Sequence, residues 1–338
     1  MKIGKASFTF KNVYIEHTAT VAGKVEAEGP LLAYFDSIEM DPYCGQNSWE
    51  KAEIYLTEKA IRTVLHKAKI IDKDVDIAFG GDLVNQMVPT NYAMREFDIP
   101  FMGVYSACAS SIQALILGAT YISQNLATRI LAFASSHNNM AEKQFRSPVE
   151  YAAAKPDTAQ FTVTGAGVAL ASSQKSDIII ESATIGTVVD YLQKNAADMG
   201  SAMAPAAAHT IVTHFKDFNR SPADYDLIIT GDLAKIGSLI LVDLLKEEGY
   251  DISEVHKDCG NLIYNETSQT FAGGSGAGCC PVVTFSYVCE KIRKKEYKKV
   301  LVVATGALLN SLIVIQKETI PCVAHAICLE ALPGGDED

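Results

Sequence analysis

A chain of 338 residues exceeds one ordinary domain and suits two, or one large layered α/β unit. Its 29 Lys and Arg against 40 Asp and Glu leave a net charge of -11, which excludes a nucleic-acid partner that needs a basic face. With 48% apolar and 20% charged residues it can bury a large core, so disordered and collagen-like classes are out.

The opening residues 1–12 lack the long apolar segment of a secretory signal. No apolar run approaches the ~18–20 residues of a membrane span. Eight cysteines without a CxxC read as reduced thiols, so the expectation is a soluble cytoplasmic protein with no transmembrane segment. Residues 61–83 and 211–233 then align at a constant offset of 150 with seven identities, among them Asp74/Asp224, Asp76/Asp226, Gly81/Gly231 and Asp82/Asp232. Further on, Arg129–Ser135 matches Lys299–Thr305 at an offset of 170, which implies a 20-residue insertion around Gly249–Ala272. Each copy predicts helix, strand, helix, strand, long helix, strand, with strands at Phe101–Tyr105 and Val300–Ala304 and helices at Ser110–Ser123 and Val282–Lys294. Alternation of this kind predicts parallel sheets covered on both faces. Two such halves facing each other make an α/β five-layer α-β-α-β-α sandwich. The polar stretch Ser172–Asp177 sets the halves at 1–174 and 175–338, with the acidic tail 334–338 disordered.

The sequence Ser106-Ala-Cys108-Ala-Ser110 joins a predicted strand to a predicted helix and puts Cys108 in the first helical turn. Free backbone N–H groups and the positive dipole end favour a thiolate or another anion there. In the second copy the matching turn is the glycine-rich loop Gly273–Gly278. The bland alternative for Cys108 is a small residue at a tight turn.

These features, with the Ala304-Thr-Gly306-Ala loop, resemble the thiolase and ketoacyl-synthase superfamily. More narrowly, the whole chain resembles the stage V sporulation protein AD family. The motifs that carry this include Asn47-Ser-Trp49, Ser136-His137-Asn138, Gln144-Phe-Arg146, Asp198-Met-Gly-Ser-Ala-Met-Ala-Pro-Ala-Ala207, Asp258-Cys-Gly260 and Gln316-Lys-Glu318. The resemblance implies a thiolase-like fold and binding of dipicolinic acid, with or without calcium. It also implies service beside other subunits of a spore-membrane uptake and release complex in sporulation and germination. The place it implies is peripheral, on the cytoplasmic side of the forespore or spore inner membrane, and a homodimer follows from how superfamily members pair.

Superfamily enzymes pair their Cys with a His and with an Asn or second His. Where the His of type III synthases would follow the strand 226–230, this chain has Gly231-Asp232, and the Asn loop is replaced by Gly273-Gly274-Ser275. A carboxylate beside a thiol raises its pKa instead of taking its proton, so the expectation is a non-catalytic binding pocket. The alternative is a working acyltransferase that uses Cys108 with His137 or His325. The ligand-binding candidates are Cys108, Ser110, His137, Arg146, Asp232, Gly274, Ser275, Gly306 and His325, with Lys155 a weaker cation; no metal site and no cofactor are expected. Arg146 is favoured as a two-pronged carboxylate holder. Asp232 would repel a dianion unless it is protonated in a dry pocket or meets calcium carried by the ligand. Cys279-Cys280 does not have zinc spacing. The basic run Lys291–Lys299 reads as a solvated helix end, or as a contact for anionic lipid or a membrane subunit.

Overall fold

The repeat read in the sequence is a repeat of strand order. The computed structural model describes residues 1–145, 155–265 and 270–333, so the expectation for the tail 334–338 lies outside the described residues. The first half contributes Tyr14–Gly23 (β1), Ile77–Gly81 (β2), Phe101–Gly103 (β3), Arg129–Ser136 (β4) and Gly165–Ser172 (β5). The second contributes Ile178–Ile185 (β6), Leu227–Thr230 (β7), His256–Asp258 (β8), Lys299–Ala307 (β9) and Cys322–Ala331 (β10). Their orders are β3-β2-β4-β5-β1 and β8-β7-β9-β10-β6, the same third-second-fourth-fifth-first arrangement twice. The two sheets meet where Tyr14 and Ile15 pair with Ile179 and Ile178. The 1–174 and 175–338 division falls in the connector between β5 and β6.

The sheets are mixed rather than parallel, which corrects the expectation. β2, β3 and β4 run parallel, but β5 is antiparallel to both β4 and β1, and β10 is antiparallel to β9 and β6. Parallel neighbours need a covering crossover of a dozen or more residues. Between β9 and β10 the chain forms one short helix, Ser311–Ile315, and returns beside the strand it left. The Ala304-Thr-Gly306-Ala segment, read as a loop, is the end of β9, held in register against Cys322–His325 of β10.

Helices Trp49–Ala68 (α1) and Ser110–Ser123 (α2) belong to the first half; Met199–Phe218 (α3) and Ala234–Glu247 (α4) belong to the second. A continuous helical run follows: Cys279–Val283 (α5), a π-turn at Thr284–Val288, and Cys289–Arg293 (α6). α1 and α3 are each 20 residues long and start 150 residues apart. Each has a side-chain N-cap, Ser48 to the Lys51 N–H and Asp198 to the Ser201 N–H. Each ends on a left-handed residue, Lys69 or Asn219.

The repeated aspartates have repeated duties. Asp74 and Asp224 accept from the backbone N–H of Ile71 and Ser221 at 2.9 and 2.7 Å, closing the turn after each long helix. One oxygen of Asp76 takes the N–H groups of Thr128 and Arg129 at 2.6 and 2.9 Å; one oxygen of Asp226 takes those of Lys298 and Lys299 at 2.6 and 2.9 Å. The same carboxylate thus anchors the start of β4 in one half and of β9 in the other.

α1 covers β1 and β5 from outside, and α3 covers β9 and β10. α2 packs on β2 and β4 with one face and on β9 and β10 with the other, while α5 and α6 lie between the same two sheets. This is the five-layer sandwich, with its central layer made from nearly featureless apolar helices: Ile112, Leu115, Val282 and Phe285 are all buried. Among the described residues no helix is long and apolar enough to cross a membrane.

Burial in that layer predicts a sharp contrast. Leu115→Ala should lower the denaturation free energy by ~2–5 kcal/mol through transfer and cavity costs. Leu239→Ala, at a position 67% exposed on α4, should stay within about 0.5 kcal/mol. Equal shifts of the urea midpoint in the two variants would contradict the layer assignment.

Candidate functional site

β3 leads into a tight turn at 104–109, where Ala107 adopts a left-handed φ of 50°. Such a conformation in a residue with a Cβ is strained, by ~1–3 kcal/mol, and survives where its surroundings hold it. Here Ser110 holds it: its Oγ accepts from the Ser106 N–H at 3.0 Å and donates to the Ala107 carbonyl at 2.7 Å. Cys108 stands one residue before the α2 N-cap, Ala109, not in the first helical turn as expected. The N–H groups of Ala109 and Ser110 are taken by Ser106 and Ala107 carbonyls, so these two donors are used by the turn itself.

The buried Cys108 thiol instead has for its charged neighbour the carboxylate of Asp232, which follows β7 in the other half. Asp232 is also buried. It accepts from Thr305 Oγ1 at 2.5 Å and the Gly276 N–H at 3.3 Å, and its backbone carbonyl accepts from Gln160 Nε2 at 2.7 Å. Burial pushes the Asp232 carboxyl up to about 6, against the pull of Cys108, Thr305 and Gly276. Burial likewise pushes the Cys108 thiol well up; the Asp232 charge and hydrogen bond push it further, and the Gly276 N–H draws it down. The thiol is therefore protonated at neutral pH, the reverse of an activated nucleophile.

The Gly-Asp-Leu pair has diverged in role. Asp82 caps its own turn, accepting from the Val84 N–H at 2.7 Å and from Thr90 N–H and Oγ1 at 2.9 and 2.6 Å. In the second half Asp258 does this instead, taking the Leu233 and Ala234 N–H groups at 2.9 Å each and Thr230 Oγ1 at 2.6 Å. Asp232 is left to face the sulfur.

Neither candidate histidine reaches the thiol. His325 Nδ1 accepts from the Gly186 N–H at 3.3 Å, so Nε2 carries the proton and donates to Ser106 Oγ at 3.3 Å. Ser106 in turn donates to Gln113 Oε1 at 2.8 Å. Burial lowers the His325 pKa to about 4, so the ring is neutral. His137 Nε2 donates to the Pro42 carbonyl at 2.7 Å, and burial lowers its pKa as well. Gly306 has a packing duty: a Cβ there would lie 2.2 Å from the Ser106 carbonyl oxygen, so only glycine lets β9 approach the cysteine turn.

Cys108 opens on a cavity of about 230 Å³ with mostly apolar walls, including Phe145, Pro156, Met199, Leu309 and Val314. Its polar lining comprises Tyr105, Glu142, Lys155, Gln160, Thr162 and Ser275. Lys155 Nζ pairs with Glu142 and lies 5.8 Å from the ring centroids of Phe161 and Phe271. Of the sequence candidates, Cys108, Ser275 and the weaker candidate Lys155 line this cavity and Asp232 stands behind the thiol; Ser110, His137, Gly274, Gly306 and His325 serve its surroundings. Arg146 lies outside the described residues. The expected backbone donors of the glycine loop are engaged inside the protein, Gly276 on Asp232 and Gly278 on Ser136 Oγ at 3.0 Å. Gln160 and Thr305 were missed by sequence reasoning. Thr305 was within reach, since it sits in the quoted Ala304-Thr-Gly306 motif, while Gln160 lies next to Thr162-Val-Thr-Gly165 with no local mark of its own.

The thiol geometry predicts slow chemistry. Alkylation of Cys108 by iodoacetamide, followed by peptide mass spectrometry, should need pH above the ordinary thiol range near ~8.5. Asp232→Asn removes the opposing charge and should speed the reaction at pH 8 by roughly tenfold, about one unit of thiol pKa. An unchanged or slower rate in the variant would mean the carboxylate does not hold the thiol.

A profile of the stage V sporulation protein AD family matches residues 4–330. Stage V sporulation protein AD of Bacillus subtilis (strain 168) is 46% identical over 332 residues, 98% of either chain. Among solved structures, 3-oxoacyl-[acyl-carrier-protein] synthase III from Aquifex aeolicus VF5 superposes with a TM-score of 0.56 at 14% identity, covering 94% of this chain and 99% of its own. Human mitochondrial 3-ketoacyl-CoA thiolase does so with a TM-score of 0.59 at 11% identity, over 95% and 99%. These likenesses concern the fold alone.

Proposed function

This chain belongs to the stage V sporulation protein AD family, and we propose that it works there as a catalytically silent receptor for dipicolinic acid. The observation that carries the proposal is the buried Cys108 thiol held protonated beside the Asp232 carboxylate. A Claisen-type acyl transfer needs a thiolate and a base to make it, and this sulfur keeps its proton beside a second acid. The cavity suits binding better than turnover. At about 230 Å³ it falls below the roughly 300–1,000 Å³ of sites for drug-sized ligands and calls for something small. Dipicolinate is a small flat ring with two carboxylates. Apolar walls can take the ring faces, and Lys155 offers a cation to one carboxylate.

The wider role follows the same reading: a peripheral subunit, on the cytoplasmic side of the forespore or spore inner membrane, of a complex that moves dipicolinate with or without calcium in sporulation and germination. The basic run Lys291–Lys299 is one surface for such a contact, with Lys291, Lys294 and Lys299 already paired to Glu296, Glu290 and Glu330. The edge strand β3, where Met102 is 48% exposed, suits pairing with a second copy.

Calorimetric titration with dipicolinate tests the proposal. Wild type should bind, Cys108→Ala should bind within about threefold of it, and acyl-CoA should leave no mass adduct on Cys108. An acyl-Cys108 adduct would restore the enzyme reading, and absence of dipicolinate binding would remove the receptor one.

A further inference from the structure

Several buried polar atoms find no hydrogen-bond partner, and one of them belongs to a side chain in the cavity wall: Gln160 Oε1. Its amide cannot turn round. Nε2 donates to the Asp232 carbonyl at 2.7 Å, and the flipped amide would set two carbonyl oxygens against each other. Oε1 is therefore the loose end, and an amide oxygen only accepts. Gln160 is 7% exposed, deep enough for an unanswered acceptor to be costly. Nothing among the described residues answers it, which leaves room for a donor from an occupant of the cavity that Gln160 lines.

The charges around it point the same way. Among the described residues the ionisable groups near Gln160 and this end of the cavity are Asp232 with Asp258 behind it, the Cys108 thiol, Tyr105, Glu142 and Lys155; from α3 come the uncharged Met199 and Gly200. Among the described lining residues Lys155 is the cation, and it pairs with Glu142. A doubly ionised ring dicarboxylate would bring a second negative charge to an oxygen that wants a donor, close to two carboxylates and mostly apolar walls.

We propose that Gln160 sets the protonation state of the occupant: a dicarboxylate binds as its singly protonated monoanion, giving its O–H to Gln160 Oε1 and its ionised carboxylate to Lys155. This rests on the dipicolinate reading above. Above the acid's own pKa the proton comes from solvent, so each binding event takes up one proton. Affinity then falls about tenfold for each pH unit.

The test compares two ligands on the full chain between about pH 6 and pH 8, with chelator present to exclude calcium. Dipicolinate should weaken about tenfold per unit, whereas 6-carbamoylpyridine-2-carboxylate, whose amide N–H is a permanent donor, should bind with little pH dependence. Gln160→Met, if its melting shows it folded, should flatten the dipicolinate profile. A flat dipicolinate profile in wild type would overturn the inference while leaving the receptor reading intact. So would a slope shared by both ligands and lost in Asp232→Asn, because the proton would then sit on Asp232. Failure of both ligands to bind at every pH would overturn the receptor reading and this inference with it.

Discussion

A buried carboxylate facing a buried thiol across the junction of two half-molecules is the contact around which the site is arranged. Asp232 draws donors from the glycine loop at Gly276 and from β9 at Thr305, while Gln160 holds its backbone. Truncating one member of such a network strands the others, which is why buried polar groups of this kind resist change one at a time. The same contact decides the chemistry. The strained turn and the central helix set Cys108 beside a carboxylate that raises the thiol's pKa instead of lowering it.

The divergence is legible because the rest of the repeat did not diverge. Asp74 and Asp224, and Asp76 and Asp226, make the same bonds in both halves, at nearly the same distances. Asp82 and Asp232 occupy the same place in the repeat but not the same role. The turn that Asp232 no longer caps is capped by Asp258, on a strand inside the region where the second copy is longer. With Asp258 on that turn, the side chain of Asp232 faces Gly276 and Thr305 instead.

That pattern explains how much the sequence disclosed. Offsets of 150 and 170 and the alternation of apolar runs pointed to two repeated halves, since element type follows from local periodicity, whereas the order of strands in the sheets does not. Asp232 beside Cys108 was legible through a family likeness and the repeat together. The mixed direction of the sheets was not, because it depends on what lies between β9 and β10, and a five-residue helix there leaves a weak periodic signal. The roles of His325 and Gln160 were not legible either. A histidine in β10 bonding to Ser106 and an amide near β5 bonding to Asp232 join residues over 70 apart in the chain, and no spacing rule covers them. For the same reason the glycine loop was read as open to ligand, although its N–H groups at 276 and 278 are used within the protein.

The interior also carries two opposed sets of titrating groups, and their signs bear on how such a pocket can change charge. Burial raises Glu26 and Asp258 to about 7 and Asp232 to about 6, so the folded chain holds these protons more tightly than the unfolded one. Their contribution favours the fold increasingly as pH falls from about 7 toward the ordinary carboxylate range near ~4. Burial lowers His214 to about 3 and His256 and His325 to about 4, so these rings bind protons less readily in the fold and cost stability as pH falls below ~6.5. The two sets act over the same window in opposite directions. At the site the two signs are Asp232, raised, and His325, lowered, so a proton taken up there goes to the carboxyl while the ring beside the cysteine turn stays neutral.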